Sequence, residues 1–335
     1  MRPRIRVTSA QVARLADVSQ SAVSRAFTPG ASVAPNTRTR VMDAAKELGY
    51  RPNAIARSLI SGRSRMIGLQ AAYLGNQYYP IVLERLARAL QSRGYHTLLF
   101  ISESGDQDHE LEKLLAYQVD AVVLASATLS SALARECVDA AIPVVMFNRD
   151  VPGSPASSVL SDNVAGGRLV AEHFVKAGHT QIAFIAGDEN SSTNRDREAG
   201  FLEVLAAQNV PLTHRGVGGY TREGACDATI QIMNSEAPPD AIFVANDHMA
   251  FAVLDTLRQT LSLRVPEDVA VIGFDDVPQS AWGAYSLTTV AQPTEQMIQS
   301  VVGVLFSQLE DGHVESVRYC FPVALVERST TLKVT

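Results

Sequence analysis

From Arg65 onward the chain alternates short apolar runs with amphipathic segments, a pattern that admits little other than parallel sheets covered on both faces by helices. Apolar runs of strand length fall at 66–71, 97–101, 121–124, 143–147, 181–185, 241–244 and 270–274. Between them lie segments of helical periodicity, among them 81–93, 166–177, 197–208 and 249–259. So many strands exceed one comfortable core, which predicts two similar lobes with the cleft between them as the place for a ligand.

The first 65 residues obey a different rule. They carry twelve Lys and Arg against three Asp and Glu, a balance of +9, whereas the rest carries 17 against 32, a balance of −15, and the net −6 conceals both. A basic segment of this size supplies the sequence-independent attraction to phosphates that underlies DNA affinity, while an acidic body resists collapsing onto the same polyanion. Thr8 is placed to cap a helix to about Ala16 with Val12, Ala13 and Leu15 inward. Asp17-Val18-Ser19 then turns into a second helix over 20–27 capped by Ser19. This is helix-turn-helix spacing. A third helix is expected over 36–48, with Val41, Ala44, Ala45 and Leu48 as its apolar face and Gly49 as its stop. The segment 53–60 follows, with an Asn cap and Ser61-Gly62 as a stop. At about two turns it is marginal as an isolated helix and reads as a hinge.

No stretch approaches the 18 apolar residues of a membrane span, and the arginine-rich N-terminus lacks the apolar centre of a secretory signal, so a cytoplasmic protein is expected. Cys137, Cys226 and Cys320 are far apart, without CxxC spacing, and are expected to be buried reduced thiols. Phosphate loop, dinucleotide fingerprint, nucleophile elbow and HExxH are all missing, so no enzyme and no cofactor is expected. Asp275-Asp276 with His173 and His179 are poorly spaced for a metal.

In the head, Val12-Ala13-x-x-Ala16, Val18-Ser19-x-x-x-Val23-Ser24-Arg25, Thr37-Arg38, Leu48-Gly49-Tyr50-Arg51-Pro52-Asn53 and Ala56-Arg57-Ser58-Leu59 stand together. The body adds Asp162-Asn163-x-x-Gly166-Gly167, Arg197-x-x-Gly200-Phe201, Ala245-Asn246-Asp247-x-Met249-Ala250 and Gly273-Phe274-Asp275-Asp276. With these motifs the whole chain resembles the LacI type of bacterial transcriptional regulators, the family of the lactose and purine repressors. The resemblance implies a small all-α helix-turn-helix head (1–52), a hinge helix (53–62), and an α/β core like periplasmic binding proteins (63–335). The core would have two parallel-sheet lobes, about 63–161 with 292–322 and 162–291 with 323–335. It also implies a homodimer on palindromic double-stranded operator DNA, usually repressing, with a small polar effector, a sugar or sugar derivative, in the cleft. A tetramer stays open, although the C-terminal part offers no leucine heptads.

A helix-turn-helix lays its second helix in the major groove, so Gln20, Ser21 and Arg25 are the expected base readers. Thr8, Ser19, Ser24, Asn36 and Arg38 are the expected backbone contacts. The resemblance gives Asn53, Ala56, Arg57 and Leu59 to the hinge, with Leu59 wedged into a base step. It gives Arg197, Asn246 and Asp275 as the polar effector set, with Tyr78 and Tyr79 at the mouth of the cleft; Asn148, Asp162 and Gln292 are further candidates from their place at strand ends or crossovers, and Trp282 is either a ring to stack on a sugar face or a packing residue. The alternatives are an ion pair for Asp275 and a helix cap for Asn246. Departures from the family pattern include Asp17 at a turn position suited to positive φ, Ala34 where a serine cap is expected, and Ala22 for a frequent threonine. The polar loop 187–194, Tyr73, Gln77 and Ser286 also depart from it, which blurs the identity of the effector. The competing reading is a periplasmic-type sugar-binding protein, or a sensor without DNA specificity. It shares the core but not the basic head.

Overall fold

The structure, a computed structural model, describes residues 7–28, 30–51, 63–71, 74–101, 107–125, 130–311 and 315–331. The chain divides into two compact units, Met1–Ser64 and Arg65–Thr335.

Among its described residues the first unit has three helices: α1 (Ser9–Leu15), α2 (Gln20–Ala26) and α3 (Pro35–Leu48). Gln11 Oε1 accepts the Thr8 N–H at 2.8 Å, and Ser19 Oγ accepts the Ala22 N–H at 3.2 Å, so each of the first two helices has a donor of its open first turn answered. Asp17 turns the chain between them at φ 49°, a left-handed conformation that glycine takes most readily and Asp tolerates better than most residues. Helix α3 starts at Pro35 with no side-chain cap from Ala34. Asn36, the alternative cap, lies exposed inside the helix, and proline's missing N–H costs nothing in a first turn. Gly49 ends α3 at φ 68°. The core of this unit is Val12, Ala13, Ala16, Val23, Ala26, Val41, Ala44 and Ala45, with Val18, Phe27, Leu48 and Tyr50 packed around it. Leu15, expected inward, is 46% exposed, because helical periodicity turns it out of the arc that holds Val12, Ala13 and Ala16.

The second unit holds two six-stranded sheets. The first is built from β1 (Met66–Ala71), β2 (His96–Ile101), β3 (Ala121–Ala125), β4 (Val144–Phe147), β5 (Ser157–Ser161) and β11 (Arg318–Phe321) in the order β11-β5-β4-β3-β1-β2, parallel throughout. The second is built from β6 (Ile182–Ala186), β7 (Leu212–Val217), β8 (Ala241–Val244), β9 (Ala270–Asp275), β10 (Thr288–Ala291) and β12 (Ala324–Val326) in the order β12-β10-β9-β8-β6-β7. It is parallel except for antiparallel β12 at its edge. The helices are α4 (Tyr78–Ser92), α5 (Gln107–Leu115), α6 (Ser131–Asp139), α7 (Asn163–Lys176), α8 (Ser192–Ala207), α9 (Arg222–Met233), α10 (Asp247–Asp255) and α11 (Thr294–Asp311). A π-helical turn, Thr256–Thr260, extends α10. The chain passes from one sheet to the other after β5, after β10 and after β11, so the two lobes are tied by three crossovers.

The strands absent from the sequence reading, β5, β7, β10, β11 and β12, are short or polar, and Ser157, Ser158 and Ser161 of β5 are buried all the same. Helix α4 begins three residues earlier than expected, which buries Tyr78 and Tyr79. Of the cysteines only Cys137 is buried, while Cys226 is partly covered and Cys320 is exposed at the edge strand β11. Among the described residues no helix is long and apolar enough to cross a membrane, and no cluster of His, Cys, Asp or Glu has metal-binding spacing.

Helices α7 and α8 cross at two glycines. A Cβ on Gly167 would run into the Arg197 carbonyl, and one on Gly200 would run into the Val164 carbonyl. That close approach explains the two glycine motifs and fixes the backbone that carries Arg197.

Candidate functional sites

In the first unit Gln20, Ser21, Ser24 and Arg25 are exposed on α2. The Ser19 and Ser21 hydroxyls lie 2.9 Å apart, and Arg25 Nε reaches back to the Ser21 carbonyl at 3.4 Å. Thr8 and Asn36 are exposed at the starts of α1 and α3. Arg38 is committed differently: Nη1 donates to the Ala26 carbonyl at 2.6 Å and Nη2 to Ala31 at 3.2 Å. It braces the end of α2 against α3, a role its exposed neighbours do not share. Asn53, Ala56, Arg57 and Leu59 lie outside the described residues.

In the second unit a buried polar cluster forms where strand C-terminal ends meet, as expected of open α/β sheets. Asp275, the last residue of β9, is 5% exposed, and its Oδ1 accepts from Gln292 Nε2 at 2.6 Å and lies 3.5 Å from Arg197 Nη2. Gln292 stands at the second crossover, and its Oε1 accepts the Ser161 hydroxyl at 2.9 Å. That hydroxyl is also 3.3 Å from Asn148 Oδ1 at the end of β4. Arg197 is 2% exposed: Nε donates to Asn163 Oδ1 at 2.8 Å, Nη1 to the Ala245 carbonyl at 2.6 Å, and the guanidinium stacks 3.6 Å over the Phe274 ring.

Burial is the largest influence on the Asp275 carboxyl and pushes it up to about 7, against the pull of Arg197 and the Gln292 hydrogen bond. Its backbone, with φ 130° followed by φ 54° at Asp276, stores strain of the kind that gathers at ligand sites. Tyr78 and Tyr79, expected at the mouth of the cleft, are 3% and 6% exposed, and burial raises both phenols above their ordinary range. A cavity of about 200 Å³ opens beside Asp275, between Tyr78 and Thr294 on one side and Asp276, Pro278 and Arg328 on the other.

Three expected contacts are placed otherwise. Asp162 caps α7, accepting the Ala165 N–H at 2.9 Å, and it is its neighbour Asn163 that holds Arg197. Trp282 follows the short 3-10 turn Pro278–Ala281 and is 56% exposed, outside the buried cluster. Asn246 caps α10 through Oδ1, 3.0 Å from the Met249 N–H, yet its buried Nδ2 has no hydrogen-bond partner among the described residues. The last part of the loop expected over 187–194 is the first turn of α8, with Ser192, Thr193 and Asn194 buried.

The sequence reading missed Arg149, Thr193 and Tyr220. Arg149 follows Asn148, is 7% exposed, and donates from Nη1 to the Asn148 carbonyl at 2.9 Å and to Thr193 Oγ1 at 2.8 Å. The Ser191 and Thr193 hydroxyls and the Tyr220 phenol lie 3.2 to 3.3 Å from one another. Arg149 was findable, since it directly follows an apolar strand at the sheet end where ligands bind. Tyr220, in a loop before α9, left no comparable mark.

A basic helix-turn-helix head and a two-lobed α/β cleft lined by buried polar side chains define a DNA-binding regulator whose second unit is built like a small-molecule receptor. Residues 10–53 match the family described as bacterial regulatory proteins, lacI family, and residues 171–331 match the periplasmic binding protein-like domain. The HTH-type transcriptional regulator CelR of Thermobifida fusca is 33% identical over 340 residues, covering 98% of this chain and 100% of the relative. A crystal structure of the lac repressor dimer bound to operator and an anti-inducer superposes with a TM-score of 0.87 at 28% identity, covering 98% of this chain and 100% of that one. The CelR–cellobiose complex superposes at 0.72 with 31% identity, covering 97% and 100%. The chain belongs to the lacI family of bacterial transcriptional regulators.

Proposed function

We propose that this regulator acts as a cytoplasmic repressor, binding a palindromic operator as a homodimer and changing its grip when a sugar or sugar derivative occupies the cleft. In this reading residues 1–52 are the DNA-binding head, 53–62 the hinge and 63–335 the effector and dimer unit. Gln20, Ser21 and Arg25 read base edges, while Thr8, Ser19, Ser24 and Asn36 touch phosphates and Arg38 holds the fold. Asn53, Ala56, Arg57 and Leu59 serve the hinge, with Leu59 in the minor groove. No reaction is assigned to the cleft.

The observation that carries the effector half is the unused donor on Asn246 beside the Arg197–Asp275–Gln292 chain. A buried amide left without a partner is costly, and a ligand hydroxyl that accepts from it removes the cost. The operator-bound lac repressor dimer and the cellobiose-bound CelR support the DNA, dimer and sugar parts by likeness. Exposed Leu99 and Ile101 on β2, Tyr117, and Trp282 give the second unit apolar surface for a partner copy. Trp282 is thus better assigned to dimerisation than to the effector.

Selection from a random duplex pool at moderate salt should enrich a palindrome. Arg25→Ala should cost about 1–3 kcal/mol of specific binding and relax one position in each half-site, with non-specific binding little changed. Enrichment of no sequence overturns the reading. For the cleft, a sugar that raises the melting temperature of the wild type should fail to raise that of Asp275→Ala.

A further inference from the structure

We propose that the effector carries a negative charge, a sugar acid or a sugar phosphate rather than a neutral sugar, and that Arg149, which follows β4 and touches the first turn of α8, receives its anionic group. This rests on the cleft being the effector site and goes on to name the chemical class that fits it.

Arg197 is fully engaged: Asn163 and the Ala245 carbonyl take two of its nitrogens, Phe274 takes its face, and Asp275 lies within ion-pair distance. Asp247, the other fully buried carboxylate nearby, is held by the Ser280 and Thr289 hydroxyls and the Val277 N–H. Arg149 is what remains. It is as buried as the residues around it, and both of its hydrogen bonds go to uncharged oxygens from the single atom Nη1. Among the described residues no carboxylate lies within ion-pair distance of it, and Nε and Nη2 have no hydrogen-bond partner. Of the acidic groups with an electrostatic influence on it, exposed Asp188 has a larger one than Asp275. The Arg149 guanidinium is largely desolvated, its charge disfavoured by burial but favoured by Tyr79, Tyr220, Asp188 and Asp275 around it, with no carboxylate closed onto the fork. It is a good receptor for a carboxylate or phosphate, whose oxygens match the fork.

The surroundings agree with that assignment. Thr193 Oγ1, which Arg149 touches, lies in the first turn of the sixteen-residue helix α8, where free N–H groups and the positive end of the helix dipole favour an anion. The Ser191, Thr193 and Tyr220 hydroxyls add rotatable donors within one small volume. Asn148, whose carbonyl Arg149 holds, is linked through Ser161 and Gln292 to Asp275, so the anion seat and the hydroxyl-binding carboxyl belong to one site.

The test is isothermal titration of the full chain with matched pairs: glucose with glucuronate and glucose 6-phosphate, galactose with galacturonate, and ribose with ribose 5-phosphate. The wild type and Arg149→Gln, which keeps an amide donor for Thr193, are compared. At least one acid or phosphate should bind about tenfold or more tighter than its neutral parent. Arg149→Gln should erase that preference, weakening the charged ligand about tenfold or more beyond any loss it causes for the neutral parent. Preference for the acid over the phosphate, or the reverse, identifies which anion the seat was built for. A panel in which no charged sugar outbinds its parent overturns the proposal, as does an Arg149→Gln variant that weakens charged and neutral ligands equally, which would make Arg149 merely a strut between lobes. If the charged sugar binds Asp275→Ala as well as it binds wild type, the cleft assignment itself has failed, a different outcome from failure at Arg149.

Discussion

The two units are held together in opposite ways. The head has a core of three valines and five alanines, every one contributed by residues within one turn of a capped helix end or by the facing α3 stripe, and its polar side chains are left outside. The effector unit buries a large apolar core around two sheets and then places at its centre a chain of polar contacts, Arg149–Asn148–Ser161–Gln292–Asp275–Arg197, whose members come from positions up to 144 residues apart. The head is therefore stable only because little is asked of it. The core is stable enough to carry strained, desolvated groups that serve a ligand rather than the fold.

That contrast breaks most directly at Arg197. Arg197→Ala removes two hydrogen bonds and the counter-charge of Asp275 at once, so the effector unit should lose about 3–5 kcal/mol while the head keeps its stability. Hydrogen exchange on the intact chain reads both units separately, and faster exchange at head amides would contradict their independence. In the head, Val23→Ala deletes two methyl groups from a core with few others and should cost about 2 kcal/mol, accelerating exchange in α1 to α3 but not in the sheets.

The same contrast explains what the sequence disclosed. Capping residues, the Asp17 turn and the stripe Val41, Ala44, Ala45 follow local rules, so the head was legible nearly to the residue, and Leu15 failed only because helix phase was not applied to it. Strands buried on both faces, such as β3 and β8, announce themselves as apolar runs. Strand β5, with three serines in five residues, does not, because its hydroxyls are satisfied by partners far along the chain: Ser157 by Gln308 and Val317, Ser161 by Gln292. For the site, Arg197 and Asp275 were named through resemblance and Gln292 from its place at a crossover, but the pairing of Asn163 rather than Asp162 with Arg197 depends on which side of a helix cap each residue falls. A single register step of that kind is below what spacing resolves.

Acidity sharpens the comparison further. The Asp275 carboxyl is raised to about 7 by burial, so the folded chain holds its proton more tightly than the unfolded chain does. Stability from this group is complete below the unfolded value of about 4 and is lost as pH rises through 7. Between pH 5.5 and 6.5 the wild type should lose up to about 1.4 kcal/mol relative to Asp275→Asn, read as a fall with pH in the wild-type denaturation midpoint minus that of the variant. A value that stays flat or rises with pH would mean that Asp275 is ionised throughout. No comparable carboxyl is buried in the described part of the head, so exchange there should not follow this titration.

The smallest effect separates caps rather than cores. Ser19 caps α2 from an exposed position, whereas Asn246 caps α10 from a buried one with a second polar arm unsatisfied. Ser19→Ala should cost the head about 1 kcal/mol, the loss of one first-turn hydrogen bond with little else disturbed. Since Ser19 is also assigned a phosphate contact, its removal should weaken specific and non-specific DNA binding by similar factors while leaving the salt dependence of both unchanged, because a neutral hydroxyl releases no counterion. If operator affinity fell while non-specific affinity stayed the same, Ser19 would be a base reader, and the division of α2 between a capping end and a reading face would have to be redrawn.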